Sequence, residues 1–152
     1  MSVLKPSEIA SHIRLLLSSY QRLTGKVLID VSNLSDDSLV TTLDKVPFVL
    51  VSHGTEDEPV FNYGNDAALQ LFGMTWDEFT SLQSKYSAEA PTREERQHLL
   101  TEVKNKGYID HYHGIRIAKD GHRFPIDNVT VWNVIDDDGV YCGQGATYVI
   151  AC

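Results

Sequence analysis

The fold class this sequence predicts is α+β: an antiparallel five-stranded sheet with short helices on one face and an amphipathic helix at the N-terminus. Three observations carry that reading. Two short apolar stretches precede a run of brief helices, and three long alternating segments follow it. Those segments are joined by Lys119-Asp120-Gly121 and by Asp136-Asp137-Asp138-Gly139, and Asp-Gly between β-type runs is a strong hairpin signal. The chain has 152 residues, 42% hydrophobic and 22% charged, which suits one domain with a core that needs no crosslinks.

Taken in order, residues 6–24 read as a helix, with Pro6 suited to its first turn and Ile9, Ile13, Leu16, Leu17, Tyr20 and Leu23 on one stripe. Gly25 stops it. A second helix is expected from Ser35 as N-cap through Leu39, Val40 and Leu43, ending before Pro47. Phe48-Val49-Leu50-Val51 and Val60-Phe61-Asn62-Tyr63 are short strands separated by a turn-rich break. Asn65 caps a helix that Gly73 closes, and Thr75-Trp76-Asp77-Glu78 and Thr92-Arg93-Glu94-Glu95 open two more as capping boxes. The last of these runs to Gly107, and strands are expected at about 109–118, 122–135 and 140–150.

Composition excludes several function classes. Thirteen Lys and Arg against twenty-one Asp and Glu give a formal charge of −8 with no basic patch, so no nucleic-acid partner is expected. No apolar run approaches the about 20 residues of a membrane span, and no signal peptide is visible, so no membrane partner is expected. Cys142 and Cys152 are too few for a disulfide framework and lack zinc-ligand spacing, which favours a reducing, cytoplasmic setting. No Cys-x-x-Cys-His haem attachment, glycine-rich phosphate loop or Gly-x-Ser-x-Gly elbow is present. The Asp136-Asp137-Asp138 run lacks the spaced ligands of a calcium loop and reads as a solvated turn.

The element order, the segment Phe61-Asn62-Tyr63-Gly64-Asn65-Asp66-Ala67-Ala68-Leu69-Gln70-Leu71-Phe72-Gly73, and Lys119-Asp120-Gly121 before a strand together resemble the PAS fold. Within that group the chain looks most like the MEKHLA domain. The matching residues are Ser52-His53-Gly54-Thr55-Glu56-Asp57, Asn62-Tyr63-Gly64-Asn65, Tyr86-Ser87-Ala88-Glu89, Gly107-Tyr108-Ile109, Gly114-Ile115-Arg116-Ile117, Val131-Trp132-Asn133 and Gly143-Gln144. No string reading M-E-K-H-L-A occurs. The resemblance divides the chain into a helical extension, 1–46, and a PAS-like domain, 47–152. It implies a noncatalytic sensory or regulatory domain that binds a small molecule, mediates protein–protein contact, or both, acting through an effector protein or a homodimer. The flavin-binding branch of PAS proteins carries a glutamine similar to Gln144 and a reactive cysteine in a short helix. The corresponding stretch here, Ser84-Lys85-Tyr86-Ser87-Ala88-Glu89, has no cysteine, so no covalent flavin is expected, and with no haem-attachment motif and no third ligand spaced to help the pair His111 and His113, haem is not expected either.

Strict alternation places Phe124, Ile126, Asn128, Thr130 and Trp132 on one sheet face, and Pro125, Asp127, Val129, Val131 and Asn133 on the other. A bulge would invert any assignment beyond it. On the last strand Cys142, Gln144, Ala146, Tyr148 and Ile150 share a face. A pocket is therefore expected between the helices of 65–82 and the face bearing Asn128, Trp132 and Gln144, with Asn62, Asn65, Trp76 and His113 as further ligand-binding residues. Buried amides can instead serve only neighbouring backbone groups. His111 and His113 share parity with Ile109, Ile115 and Ile117, so the pair either flanks the cavity, where it could hold metal or haem, or projects into water. The alternative function is a small hydrolase or isomerase with one of these histidines as general base, but on an unbroken strand Asp110 points away from both. The first helix is expected to cover Val129 and Val131 on the outer face and to join a homodimer interface.

Overall fold

Turn and capping chemistry set the element boundaries in the computed structural model, which describes residues 6–88 and 93–149. Helix α1 spans Pro6–Thr24 and ends at Gly25, whose φ of 74° suits a residue without a Cβ. Helix α2 spans Asp36–Lys45, with the Ser35 hydroxyl accepting from Ser38 N at 3.2 Å. Strands β1, Phe48–His53, and β2, Phe61–Gly64, follow, then α3, Asp66–Phe72, and α4, Trp76–Phe79. Both arms of the α4 capping box are present: Thr75 N donates to Glu78 Oε1 at 3.0 Å and Glu78 N to Thr75 Oγ1 at 3.2 Å. A 3-10 turn at Ser84–Ser87 leads to α5, Arg93–Lys106. Strands β3, Tyr108–Ile117, β4, Arg123–Ile135, and β5, Tyr141–Val149, complete the fold. The Thr92 cap, Ile150 and Cys152 lie outside the described residues.

The sheet is antiparallel throughout, in the order β2-β1-β5-β4-β3. Its inner face carries Val49, Val51, Ile109, Ile126, Val129, Val131 and Tyr148, packed with Phe61, Phe72 and Phe79 beneath α3, α4 and α5. Its outer face presents Leu50, Tyr63, Trp132 and Val134 to α1 and α2. Ile13 and Leu16 of α1 are fully buried there, and each such side chain contributes roughly 1.5–3 kcal/mol. Trp132 Nε1 donates to the Leu16 carbonyl at 3.2 Å, and the Tyr20 ring meets Trp132 edge-on at 5.0 Å. The Ser19 hydroxyl donates to Ile135 O at 2.9 Å and accepts from Ile135 N at 3.0 Å, extending the end of β4 onto the helix.

The outer cover is the one expected, but it meets different residues. His111 and Asn128 both adopt left-handed backbone, with φ of 55° and 53°, and the β3–β4 register shifts around them. Each is an extra residue in its strand, so parity changes beyond it. Val129 and Val131 consequently face inward, and Trp132 faces outward onto α1. A further irregularity between Val134 and Ile135 turns Cys142 toward the outer cluster. Four of the six stripe residues are buried within one chain, Leu17 and Tyr20 each being only 8% exposed, while Ile9 and Leu23 are partly exposed.

Two glycines let β5 lie this close to its neighbours. A Cβ on Gly143, at φ 129°, would stand 2.0 Å from the His53 carbonyl oxygen, and one on Gly145 would stand 2.8 Å from the Trp132 ring. Gln144 thus lies between a glycine packed on the His53 backbone and one packed on the Trp132 ring. Among the described residues no helix is long and apolar enough to cross a membrane.

Candidate ligand-binding cavity

A cavity of about 300 Å³ opens on the inner sheet face, a volume at the lower end of small-molecule pockets. Its floor is Val51, Val131, Gln144, Ala146 and Tyr148, and Phe61 and Phe72 close one side. Leu99 of α5 and the turn residues Ser84, Lys85, Ser87 and Ala88 form the roof. Tyr112 and Arg116 of β3 complete the wall. The roof is tied to that wall by an isolated antiparallel bridge between Ala88 and Arg116, and to the other side by a bridge between Gln83 and Val60. An apolar, aromatic lining with few polar groups is the composition that orients a small organic molecule.

Polar chemistry in this lining is unevenly distributed. Gln144 Nε2 donates to Asn133 Oδ1 at 3.3 Å, which holds the amide against the sheet. Burial pushes the Tyr148 hydroxyl up to about 12, partly opposed by the positive charge of Arg116, so the phenol is protonated at neutral pH. Lys85 is paired with Glu58 at 3.1 Å.

The structure brings only Gln144, of the seven residues expected to bind ligand, to this cavity. Asn65 is fully buried, but its side chain is occupied: Oδ1 accepts from Leu50 N and Ala68 N at 3.1 and 3.2 Å, and Nδ2 donates to Leu43 O and Phe48 O at 2.9 Å each. It joins α2, β1 and α3, as the backbone-serving reading of a buried amide describes. Trp132 lies on the outer face for the bulge-induced reason given above. Trp76 packs with the outer cluster, its ring edge-on to Tyr63 at 5.9 Å. Asn128 is exposed at its bulge, where Oδ1 lies 3.0 Å from His111 Nδ1. His113 is exposed. The pocket's roof is the turn at 84–88 with α5, and of the helices of 65–82 Phe72 alone is among the described lining residues.

Asn62 takes part in a relay that crosses the sheet edge to α1. His12 Nε2 lies 2.8 Å from Ser52 Oγ, and the Ser52 hydroxyl donates to Asn62 Oδ1. Because serine has one proton, His12 is the donor to Ser52. Burial lowers the His12 pKa below 6.5, with the hydrogen bonding around Asn62 acting in the opposite direction. A base with a depressed folded pKa stabilises the fold fully above its unfolded value and withdraws that contribution as pH falls through the folded one. Stability is therefore expected to decline as the pH drops below 6.5, before the carboxylates titrate, and His12→Asn should flatten that limb. Thermal melts across the mildly acidic range check this; an unchanged slope in the variant contradicts it.

The exposed histidine pair supplies no comparable site. The break at His111 brings the Asp110 carboxylate to 3.9 Å from His111 Nε2, contrary to the unbroken-strand expectation, but both side chains stand in solvent outside the cavity. Among the described residues no group of His, Cys, Asp or Glu is arranged to hold a metal ion.

Solved structures share this architecture. A PAS domain from Colwellia psychrerythraea is 16% identical, covers 72% of this chain and 92% of its own, and superposes with a TM-score of 0.58. An RNA-binding light-oxygen-voltage receptor is 17% identical over 82% of this chain and 36% of its own, with a TM-score of 0.64. The light-state dimer of the fungal blue-light photoreceptor Vivid is 11% identical over 91% of this chain and 93% of its own, with a TM-score of 0.61. At these identities the likeness is one of fold. No curated protein sequence matches the chain. The MEKHLA domain family model matches residues 10–150, from within α1 to the end of the sheet, and the chain belongs to the MEKHLA domain family.

Proposed function

We propose that this protein is a noncatalytic, cytoplasmic sensory module that holds a small organic molecule between its sheet, the turn at 84–88 and α5, and passes occupancy to an effector protein. The observation that supports the reading is the cavity itself: about 300 Å³, walled by aromatic rings, with the Gln144 amide held in place at its floor. In this reading the chain divides at 46/47 into a helical extension, 1–46, whose α1 and α2 cap the outer face, and a sensing domain, 47–152. Ser52 lines the cavity and bonds to His12, so a ligand that shifts β1 also shifts the hold on α1. A homodimer belongs to the same proposal, formed through surfaces other than the four buried residues of the α1 stripe.

Native mass spectrometry of protein purified from its own host tests this directly. A stoichiometric small-molecule mass that is lost on denaturation is expected, together with a dimer mass; apo protein alone counts against the sensor. The purified protein should be colourless apart from ordinary protein absorbance, and a stoichiometric flavin or haem spectrum would reverse the cofactor reading.

A further inference from the structure

The chain carries a formal charge of −8, yet the cavity wall contains Arg116, Lys85 and His53 and no Asp or Glu among its described residues. In a protein so rich in carboxylates, this local reversal of sign sets the preferred charge of an occupant. Lys85 is already neutralised by Glu58 at 3.1 Å. Arg116 has no ion-pair partner among the described residues, is partly buried, and sits beside the protonated Tyr148. A guanidinium held against an apolar wall, with no carboxylate paired to it among the described residues, is matched best by a planar carboxylate, which it binds through two parallel hydrogen bonds. One uncompensated positive charge matches one negative charge, so a doubly charged phosphate monoester fits less well. Phe61, Phe72 and Tyr112 supply flat aromatic surface beside the aliphatic Val51, Val131 and Leu99.

We infer that the cavity is selective for an aromatic monocarboxylate, with the carboxylate on Arg116 and the ring system between Phe72, Phe61 and the floor beside Gln144. This inference rests on the ligand-binding reading above and specifies the ligand's charge and shape. Such a molecule must also pass the negative field of the rest of the protein, so the selectivity resides in the contact with Arg116 and not in long-range attraction.

The test compares 2-naphthoate with its neutral isostere 2-naphthamide, titrated into the intact chain and followed by the backbone amide resonances of Gly145 and Ala146 in the cavity floor. The carboxylate should bind about tenfold or more tightly than the amide. Arg116→Gln should abolish that preference, and Arg116→Lys should keep part of it, with melting temperatures confirming that both variants fold. Equal or tighter binding of the amide to the parent protein, or a preference that survives in Arg116→Gln, overturns the inference. So does the absence of binding by either compound up to millimolar concentration. These failures are separable from failure of the sensor reading: a neutral molecule found by native mass spectrometry leaves a ligand-binding module standing while removing the anion selectivity.

Discussion

Replacing Leu16 with Asp is expected to lower stability by about 4 kcal/mol or more, enough to leave much of the chain unfolded. Leu16 is fully buried in the outer cluster with Ile13, Leu39, Leu43 and Trp132. The substitution loses the transfer energy of a leucine and places a carboxylate among buried apolar side chains. It also strains the backbone that accepts the Trp132 indole N–H, so both α1 and β4 are affected. Arg14→Asp is the informative control. Arg14 reaches Asp36 at 3.1 Å and the Leu34 carbonyl at 3.2 Å, in a pair whose side chains are 41% and 51% exposed. Contacts of that kind are worth roughly 0–1 kcal/mol, so this variant should lose little. Chemical denaturation distinguishes the two; a Leu16→Asp midpoint close to the parent's would mean that α1 does not contribute to the core.

Asn65→Ala is expected to cost about 3–4 kcal/mol, far more than the roughly 1 kcal/mol of an ordinary helix cap. Its amide serves the Leu50 and Ala68 N–H groups and the Leu43 and Phe48 carbonyls, three of these four bonds are buried, and an alanine leaves all four groups without that partner. Asn65→Asp separates the hydrogen-bond account from simple packing. The carboxylate keeps two acceptors but turns its other oxygen toward two carbonyls, so its pKa should rise on folding. A raised carboxyl pKa makes the folded state bind the extra proton, and stability should therefore increase as the pH falls. Urea midpoints measured at neutral and mildly acidic pH check both variants. A loss below 1 kcal/mol for Asn65→Ala, by comparison with the range expected for such groups, would show that the amide is dispensable.

The order of elements was legible because its signals are local. Asp-Gly pairs end the strands, Asn65 and Thr75 cap helices with the groups they display in sequence, and the α1 stripe needs only the helical period. The family resemblance rests on the same segments. Side-chain direction on β3 and β4 was less accessible. Neither His111 nor Asn128 announces a bulge, although Asn is among the residues that tolerate left-handed backbone. Gln144 was placed correctly because β5 alternates regularly from that residue to Tyr148. Tyr112 and Arg116 were missed because they lie past the break, where strict parity puts them on the wrong face. The His12–Ser52–Asn62 relay joins positions forty and ten residues apart, and no local pattern relates them.

The paired bulges bear on how this hairpin can change length in inheritance. Tyr108 opposes Trp132 and Ile109 opposes Val131 on one side of the break, and Gly114 opposes Ile126 and Ile117 opposes Arg123 on the other, in the same register. The extra residue in one strand is thus cancelled by the extra residue in the other. Losing His111 alone, or Asn128 alone, would slide one strand past its partner and expose half of its apolar side chains. Losing both would leave an uninterrupted ladder in which Ile109, Tyr112 and Arg116 still face inward opposite Phe124, Ile126, Val129 and Val131. Relatives of this protein are accordingly expected to carry both insertions or neither, the sheet losing curvature but keeping its inside and outside when the pair is absent.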